Sequence, residues 1–187
     1  MKHYKLPIAP EDKAALELLR AGVAKIGVTG RAKGLEGVFG CVLETTSGRV
    51  VEVRARQQDL EYKFEVFPIS ATPAAGFAEA EEVQPLLLTA PVQVLLLQTE
   101  DWLDPGIPCE GAVGQDPIMQ CQGKPGQAPN NATAACQYFG GVELLGSNGS
   151  RLFIATLPFP YAIHVSAIQG TGRVDQEAYV GVPASVA

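Results

Sequence analysis

The chain has little charge, few aromatic rings and only two histidines. Asp, Glu, Lys and Arg make up 18% of its 187 residues, against roughly 25% in a typical soluble domain. A surface so poor in ionic groups has to be covered by uncharged polar side chains or by another macromolecule. Basic residues are the scarcer sign, 14 against 20 acidic ones, for a net charge of −6. A sequence-independent grip on nucleic acid needs an excess of Lys and Arg to displace counterions, so no nucleic-acid partner is expected. The same deficit argues against an anionic membrane surface. Long apolar runs are missing too. Residues 85–97 form the longest apolar patch, but Thr89, Pro91 and Gln93 break it, and it is too short to cross a bilayer. Residues 1–19 carry Glu11, Asp12 and Glu17 and no uninterrupted apolar stretch, which is not the pattern of a signal peptide. The expectation is a soluble, cytoplasmic chain whose cysteines are thiols.

The usual catalytic and ligand-binding spacings are absent. Glycines at 27, 30, 34, 37 and 40 match neither G-x-x-x-x-G-K-[ST] nor G-x-G-x-x-G. No helix is expected after them to present its N-terminus to a phosphate. They read as a flexible strand connector, with Arg31 and Lys33 as the side chains that could meet an anion. There are four cysteines, Cys41, Cys109, Cys121 and Cys136, and two histidines, His3 and His164. No C-x-x-C pair occurs, so the usual zinc knuckle is missing. A Cys₃His site could in principle be assembled from the last three thiols and His164. A disulfide within the segment that holds those thiols would keep so irregular a stretch ordered, but reduced thiols are the expectation. A Cys–His nucleophile would need a thiol beside His164 and a third group to orient it. His164 sits instead in the apolar run Ala162-Ile163-His164-Val165. There is no G-x-S-x-G elbow, and neither a metal nor a cofactor is expected. Asn131-Ala132-Thr133 and Asn148-Gly149-Ser150 match the glycosylation triplet, which carries no weight without a secretory route.

What the chain does have is period-two patterning. Residues 49–56 alternate, with Val51, Val53 and Ala55 on one side and Glu52, Arg54 and Arg56 on the other. Residues 61–67 do the same, with Tyr62, Phe64 and Val66 opposite Glu61, Lys63 and Glu65. Strict alternation means one buried face and one wet face. Together with 38–45 and the Ser47-Gly48 turn, these predict a three-stranded antiparallel meander. Ile26 and Val28 predict a short strand before it. A buried strand is expected around 92–97, and another over 161–168. Residues 140–157 are the clearest unit: Val142, Leu144 and Leu145, then Asn148-Gly149, then Leu152, Phe153 and Ile154. Asn-Gly between apolar runs predicts a type I′ hairpin, here at the centre of a sheet. Phe39-Gly40-Cys41-Val42, a turn and Arg49-Val50-Val51 echo Phe139-Gly140-Gly141-Val142, a turn and Arg151-Leu152-Phe153. Two hairpins of one build account for that echo.

One long helix is predicted, over 10–22. Pro10 suits its first position, Glu11 and Asp12 complement its positive end, Leu16, Leu19 and Val23 mark its buried stripe, and Gly22 can end it. Residues 2–8 read as a short strand or arm, and the tail from Gly170 as an extended arm. Residues 71–82, rich in Ala, Pro and Glu, read as a connector, and any internal boundary falls near 71–85. Residues 104–135 hold five Pro and five Gly and show no period. Loops longer than about 15 residues are uncommon in compact domains unless functional or disordered.

The expectation is a single α+β, mostly β domain over residues 1–187. Its antiparallel sheets are sandwich- or barrel-like, with one N-terminal helix and a long irregular loop between Asp101 and Cys136. Glu100, Asp101, Asp104, Glu110 and Asp116 surround the single Trp, Trp102. Carboxylates so placed could hold Ca²⁺, but the regular loop with Gly at its sixth place is missing. As a glycosidase pair, two carboxylates in one loop say little. Aromatic anchors ringed by polar groups are how binding hot spots are built, so Trp102, Asp101, Asp104 and Glu110 are the candidate partner-binding residues. The first functional expectation is a non-enzymatic protein-binding or assembly subunit of particle-accessory or toxin-neutralising type, homo-oligomeric or bound to a protein partner. The alternatives are a hydrolase-type enzyme using long-loop carboxylates or a Cys–His pair, and a β-barrel holding a small molecule between its sheets.

Overall fold

Pro10 opens the one helix, α1 (Pro10–Glu17), in a computed structural model that describes residues 1–31, 37–61, 64–76, 82–104, 119–157, 162–168, 171 and 173–186. Glu11 and Asp12 lie in its first turn, where the helix dipole favours acids. Asp12 also docks the helix: its Oδ1 accepts the Ala71 N–H at 2.9 Å. A 3₁₀ turn, Leu18–Ala21, follows, and Gly22 ends it at φ 98°. Leu16, Leu19 and Val23 are fully buried, as their spacing predicts. No helix among the described residues is long and apolar enough to cross a membrane.

The rest is mostly β. In chain order the strands are β1 (Lys2–Lys5), β2 (Val23–Arg31), β3 (Val38–Thr45), β4 (Val50–Ala55), β5 (Gln58–Glu61), β6 (Phe64–Val66) and β7 (Ile69–Ala74). There follow β8 (Glu82–Leu88), β9 (Gln93–Asp104), β10 (Met119–Gly123), β11 (Ala134–Leu145), β12 (Arg151–Thr156), β13 (Ile163–Val165) and β14 (Val180–Pro183). The main sheet runs β10-β9-β11-β12-β13-β3-β2-β8 and curls into a half-barrel. β4 continues from β3 to β7, while β14 shares the outer edge of β9 with β10. All these pairings are antiparallel; β1 lies parallel to β11. The concave side is the main core. Ile26, Leu43, Val51 and Val53 come from one half, Val94, Leu96, Leu144 and Ile154 from the other, with Leu16 and Leu19 of α1 and its 3₁₀ extension between them. Each such side chain contributes about 1.5–3 kcal/mol on burial.

Three expectations need correcting. The third strand of the predicted meander is β7, which pairs with β4 along its whole length from Ile69↔Ala55 to Ala74↔Val50. Residues 61–67 do bury Phe64 and Val66, but in a separate two-stranded hairpin, β5–β6, that packs against β9 and β11. Period two told which side chains were buried and could not tell against what. The predicted connector at 71–82 begins inside β7, whose Pro73 is tolerated because β7 has β4 on one side and no partner among the described residues on the other. The Asn148-Gly149 turn is a three-residue loop rather than a two-residue one. Gly146 N–H bonds Ser150 O at 2.9 Å, Gly149 N–H bonds Gly146 O at 3.0 Å, and Gly149 has φ 81°. The Ser47-Gly48 turn is built alike, with Thr45 bonded to Arg49 and Gly48 at φ 80°. This is a hairpin loop that ends in a left-handed glycine.

The tip of the β11–β12 hairpin fastens the two halves together. Asn148 donates to Leu87 O at 3.1 Å and accepts from the Thr89 N–H at 3.4 Å. Leu88 between them faces β2 through Val23. The Asn148 carboxamide thus occupies the outer edge of β8 as a strand's peptide group would. Ser147 adds bonds to the carbonyls of Thr89 and Ala90 at 3.1 and 2.9 Å.

Two glycines of this hairpin should respond differently to alanine. A Cβ at Gly141 would drive into the Ile154 carbonyl oxygen of the neighbouring strand, whereas Gly149 has open space and only its backbone conformation to lose. Urea unfolding is expected to show Gly141→Ala destabilised by about 3 kcal/mol and Gly149→Ala by about 1. Equal losses would contradict the β11–β12 register.

Candidate functional site

Three of the four candidate partner-binding residues stand in β9, and strand geometry separates them. Successive side chains point to opposite faces, so Asp101 lies on the outer face of the sheet and Trp102 on the other. Asp101 is 5% exposed and Asp104 8%, and Trp102 is half-buried. Glu110 lies outside the described residues. Trp102 packs against Gly123 of β10, where a Cβ would come within 2.8 Å of the indole, so a larger residue there would make the ring shift. Asp104 accepts from the Asn131 amide at 3.4 Å. Glu100, on the Trp102 face, accepts the backbone N–H groups of Gly126 and Ala128 at 2.8 and 3.2 Å and the Gln137 amide at 3.3 Å.

Asp101 is where the chain concentrates its buried polar groups. In register it sits between Cys136 of β11 and Gln122 of β10. Gln120 donates to its Oδ2 at 2.8 Å and to the Glu65 carbonyl at 2.7 Å, so one side chain links β10, β9 and the β5–β6 hairpin. Gln122 reaches the hydroxyls of Tyr138 and Tyr179 at 3.4 and 3.5 Å, and Tyr179 donates to Thr156 O at 3.2 Å. Asp101 Oδ1 is buried with no close hydrogen-bond partner among the described residues, and the Tyr138 hydroxyl and Gln122 amide lie near enough to act on the carboxyl. Burial pushes the Asp101 carboxyl up to about 6, with Gln120, Tyr138 and Gln122 pulling part of the way back. Burial raises the Tyr138 and Tyr179 hydroxyls, and the Asp101 charge raises them further. Burial also pushes the Cys136 thiol up to about 12, helped by the charges of Asp101 and Glu100.

The thiols and imidazoles of the described residues are spread over different strands, and only Cys136 lies beside Asp101. Cys41 is a buried core thiol on β3, raised by its surroundings, so neither it nor Cys136 is primed as a nucleophile. Cys41, Cys121 and Cys136 are free, and Cys109 lies outside the described residues. His164, on β13, faces the Phe153 ring at 6.3 Å and the Thr171 hydroxyl at 3.4 Å. Among the described residues no group of three His, Cys, Asp or Glu side chains is placed to hold a metal ion. The glycines at 27, 30, 37 and 40 lie in or beside β2 and β3, and Lys33 falls outside the described residues. A shallow polar cleft of about 150 Å³ opens beside the Asp101 group, lined by Gln122, Lys124, Gln127, Asp175 and Glu177.

Tyr138, Tyr179, Gln120 and Gln122 went unread in the sequence. The one available signal was the alternation of Cys136 with Tyr138 and of Gln120 with Gln122, each pair two residues apart and therefore on one strand face.

The raised Asp101 carboxyl has a consequence for stability. Its folded value lies above the unfolded one, so the folded state binds the extra proton between pH 4 and 6, and stability falls as pH rises through that window. The loss is complete above pH 6 and amounts to about 2–3 kcal/mol. Asp101→Asn is expected to be more stable than wild type at pH 7.5 by about that amount, and equal to it near pH 4. Chemical denaturation of both proteins at the two pH values measures this directly.

No protein-family model matches the chain, and neither a curated protein nor a solved structure is detectably similar to it.

Proposed function

We propose that this protein is a non-enzymatic binding or assembly subunit that works by touching another macromolecule, first of all a second copy of itself. The observation that supports this most is Leu87, 59% exposed on β8 at the rim of the half-barrel. It stands in a chain whose charged fraction is only 18%. Val180 on β14 and Phe39 on β3 are also exposed, at 42% and 38%. The contact is made by side chains rather than by strand addition. The outer strands β7, β8 and β14 carry Pro73, Pro85 and Pro183, and prolines on edges discourage edge-to-edge pairing. Trp102, half-buried, remains the aromatic candidate among the residues expected to bind a partner. The buried free thiols Cys41 and Cys136 suit a reducing, cytoplasmic setting.

A hydrolase-type reading rests on a different observation, the Asp101 carboxyl with its value near 6, which suits a general acid or base at neutral pH. A broad substrate screen of wild type beside Asp101→Ala and His164→Ala tests it, and activity lost in either variant would support it. The polar cleft of about 150 Å³ is smaller than the roughly 300–1,000 Å³ of ordinary ligand pockets, and it does not favour the small-molecule reading.

Size-exclusion chromatography with light scattering tests the assembly reading. Wild type is expected to exceed the 19.7 kDa of one chain, and Leu87→Asp to return to it. A strict monomer at high protein concentration would overturn the reading.

A further inference from the structure

Four turns meet at one end of the half-barrel, where β2, β9 and β12 begin and β3, β8 and β11 stop. They are residues 20–22, 46–49, 87–92 and 146–150. Hydrogen bonds tie them together. The Thr46 N–H bonds Gly22 O at 3.2 Å, and the Val92 N–H bonds Arg20 O at 3.1 Å. The Ser147 N–H bonds Thr89 O at 3.0 Å, and the Asn148 amide donates to Leu87 O at 3.1 Å. We propose that this end is the surface through which two copies of the chain associate, about a two-fold axis that passes near Leu87. The proposal rests on the assembly reading above and gives it a place on the molecule.

Charge points to a second copy as the occupant. The four turns hold none of the chain's 20 acidic residues and two basic ones, Arg20 and Arg49. Arg20 pairs with Glu17. Each copy carries a net charge of −6, so two copies approach at least cost where the surface is clear of carboxylates. A strongly charged partner finds little to pair with here, and the centres of protein interfaces are poor in charge. Apolar surface is concentrated at the same end. Leu86 and Leu88 pack on the main core, which turns Leu87 outward. β14 runs toward the start of β9, where the Ala184 N–H bonds Val94 O at 3.1 Å, and it brings Val186 to this end, 77% exposed. The other two exposed apolar residues stand away from it: Val180 lies opposite Gln98 in the middle of β9, and Phe39 near the far end of β3. Covering the turns leaves their polar side chains bonded. Ser147 already donates to the carbonyls of Thr89 and Ala90, and Asn148 to that of Leu87, so neither loses its partner beneath a second copy. Turns that are cross-bonded before contact also have little freedom left to lose on binding.

Light scattering over a dilution series of wild type, Ala21→Glu, Thr89→Asp, Phe39→Asp and Val180→Asp gives the dissociation constant of each. Ala21 and Thr89 are both exposed at this end. A carboxylate at either position meets its own copy across a two-fold axis, so both variants are expected to weaken the dimer about tenfold or more, and Phe39→Asp and Val180→Asp to leave it unchanged. Amide exchange of the wild type at low and at high protein concentration asks the same question without a substitution. Residues 46–49, 87–90 and 147–150 should slow as the dimer forms, and the amides of Phe39 and Val180 should not. A dimer that Ala21→Glu and Thr89→Asp leave intact, with no slowing in these turns, overturns this surface and leaves the assembly reading standing. A wild type that stays monomeric at high concentration overturns both.

Discussion

The β9–β11 ladder dictates the rest of the architecture, because it is longer than one core can cover. Both strands have 12 residues, and they pair from Gln93↔Leu145 to Ala134↔Leu103 with one irregularity between Phe139 and Gly141. At the Val94–Leu96 end the inner face meets the other half of the sheet. The outer face carries Leu97, Leu103, Cys136 and Tyr138, each nearly or fully buried. Strands buried on both faces need a layer on each side. The second layer is assembled from pieces: β5–β6 supplies Phe64 and Val66 over Leu103 and Tyr138, and the C-terminal segment supplies Ala178 and Tyr179 over Leu97 and Phe153. The edges of the ladder are closed in the same way, by β1 on β11 and by β10 and β14 on β9.

Folding puts several carboxylates out of water, and most are satisfied locally. Glu100 takes two backbone N–H groups, Glu143 pairs with Arg151, and Asp12 takes the Ala71 N–H with Arg56 3.8 Å away. Asp101 differs. Its neighbours are neutral donors, Gln120, Tyr138 and Gln122, and among the described residues no cation acts on it, so burial outweighs them and raises its carboxyl. In an ion-paired site the surroundings would have held the charge fixed.

The sequence was legible where one strand face pairs with one core. The β3–β4 and β11–β12 hairpins, the helix start at Pro10 and its end at Gly22 were all readable from spacing and turn residues. The second layer was not. Residues 104–135 read as aperiodic because β10 is short and the side chains it turns toward Asp101 are polar, Gln120 and Gln122 rather than Val or Leu. Residues 71–74 read as the start of a connector because Ala and Pro mask the end of a strand whose neighbour β4 lies some twenty residues back in the chain. Asp101 and Trp102 read as one loop cluster because sequence adjacency looks like spatial adjacency until a strand turns them apart. Asn148 was correctly singled out, yet its grip on β8 depends on a contact about 60 residues away that no local pattern encodes.

Asp101 is a buried acid with no cation acting on it among the described residues, its carboxyl raised by the layer closed over it. Titration of the Asp101 side-chain carboxyl carbon by NMR reads this directly. A midpoint near pH 6 is what the structure predicts. A midpoint at or below the ordinary aspartate value of about 3.9 would mean that water or a cation reaches the group, and that the ladder's outer face is open.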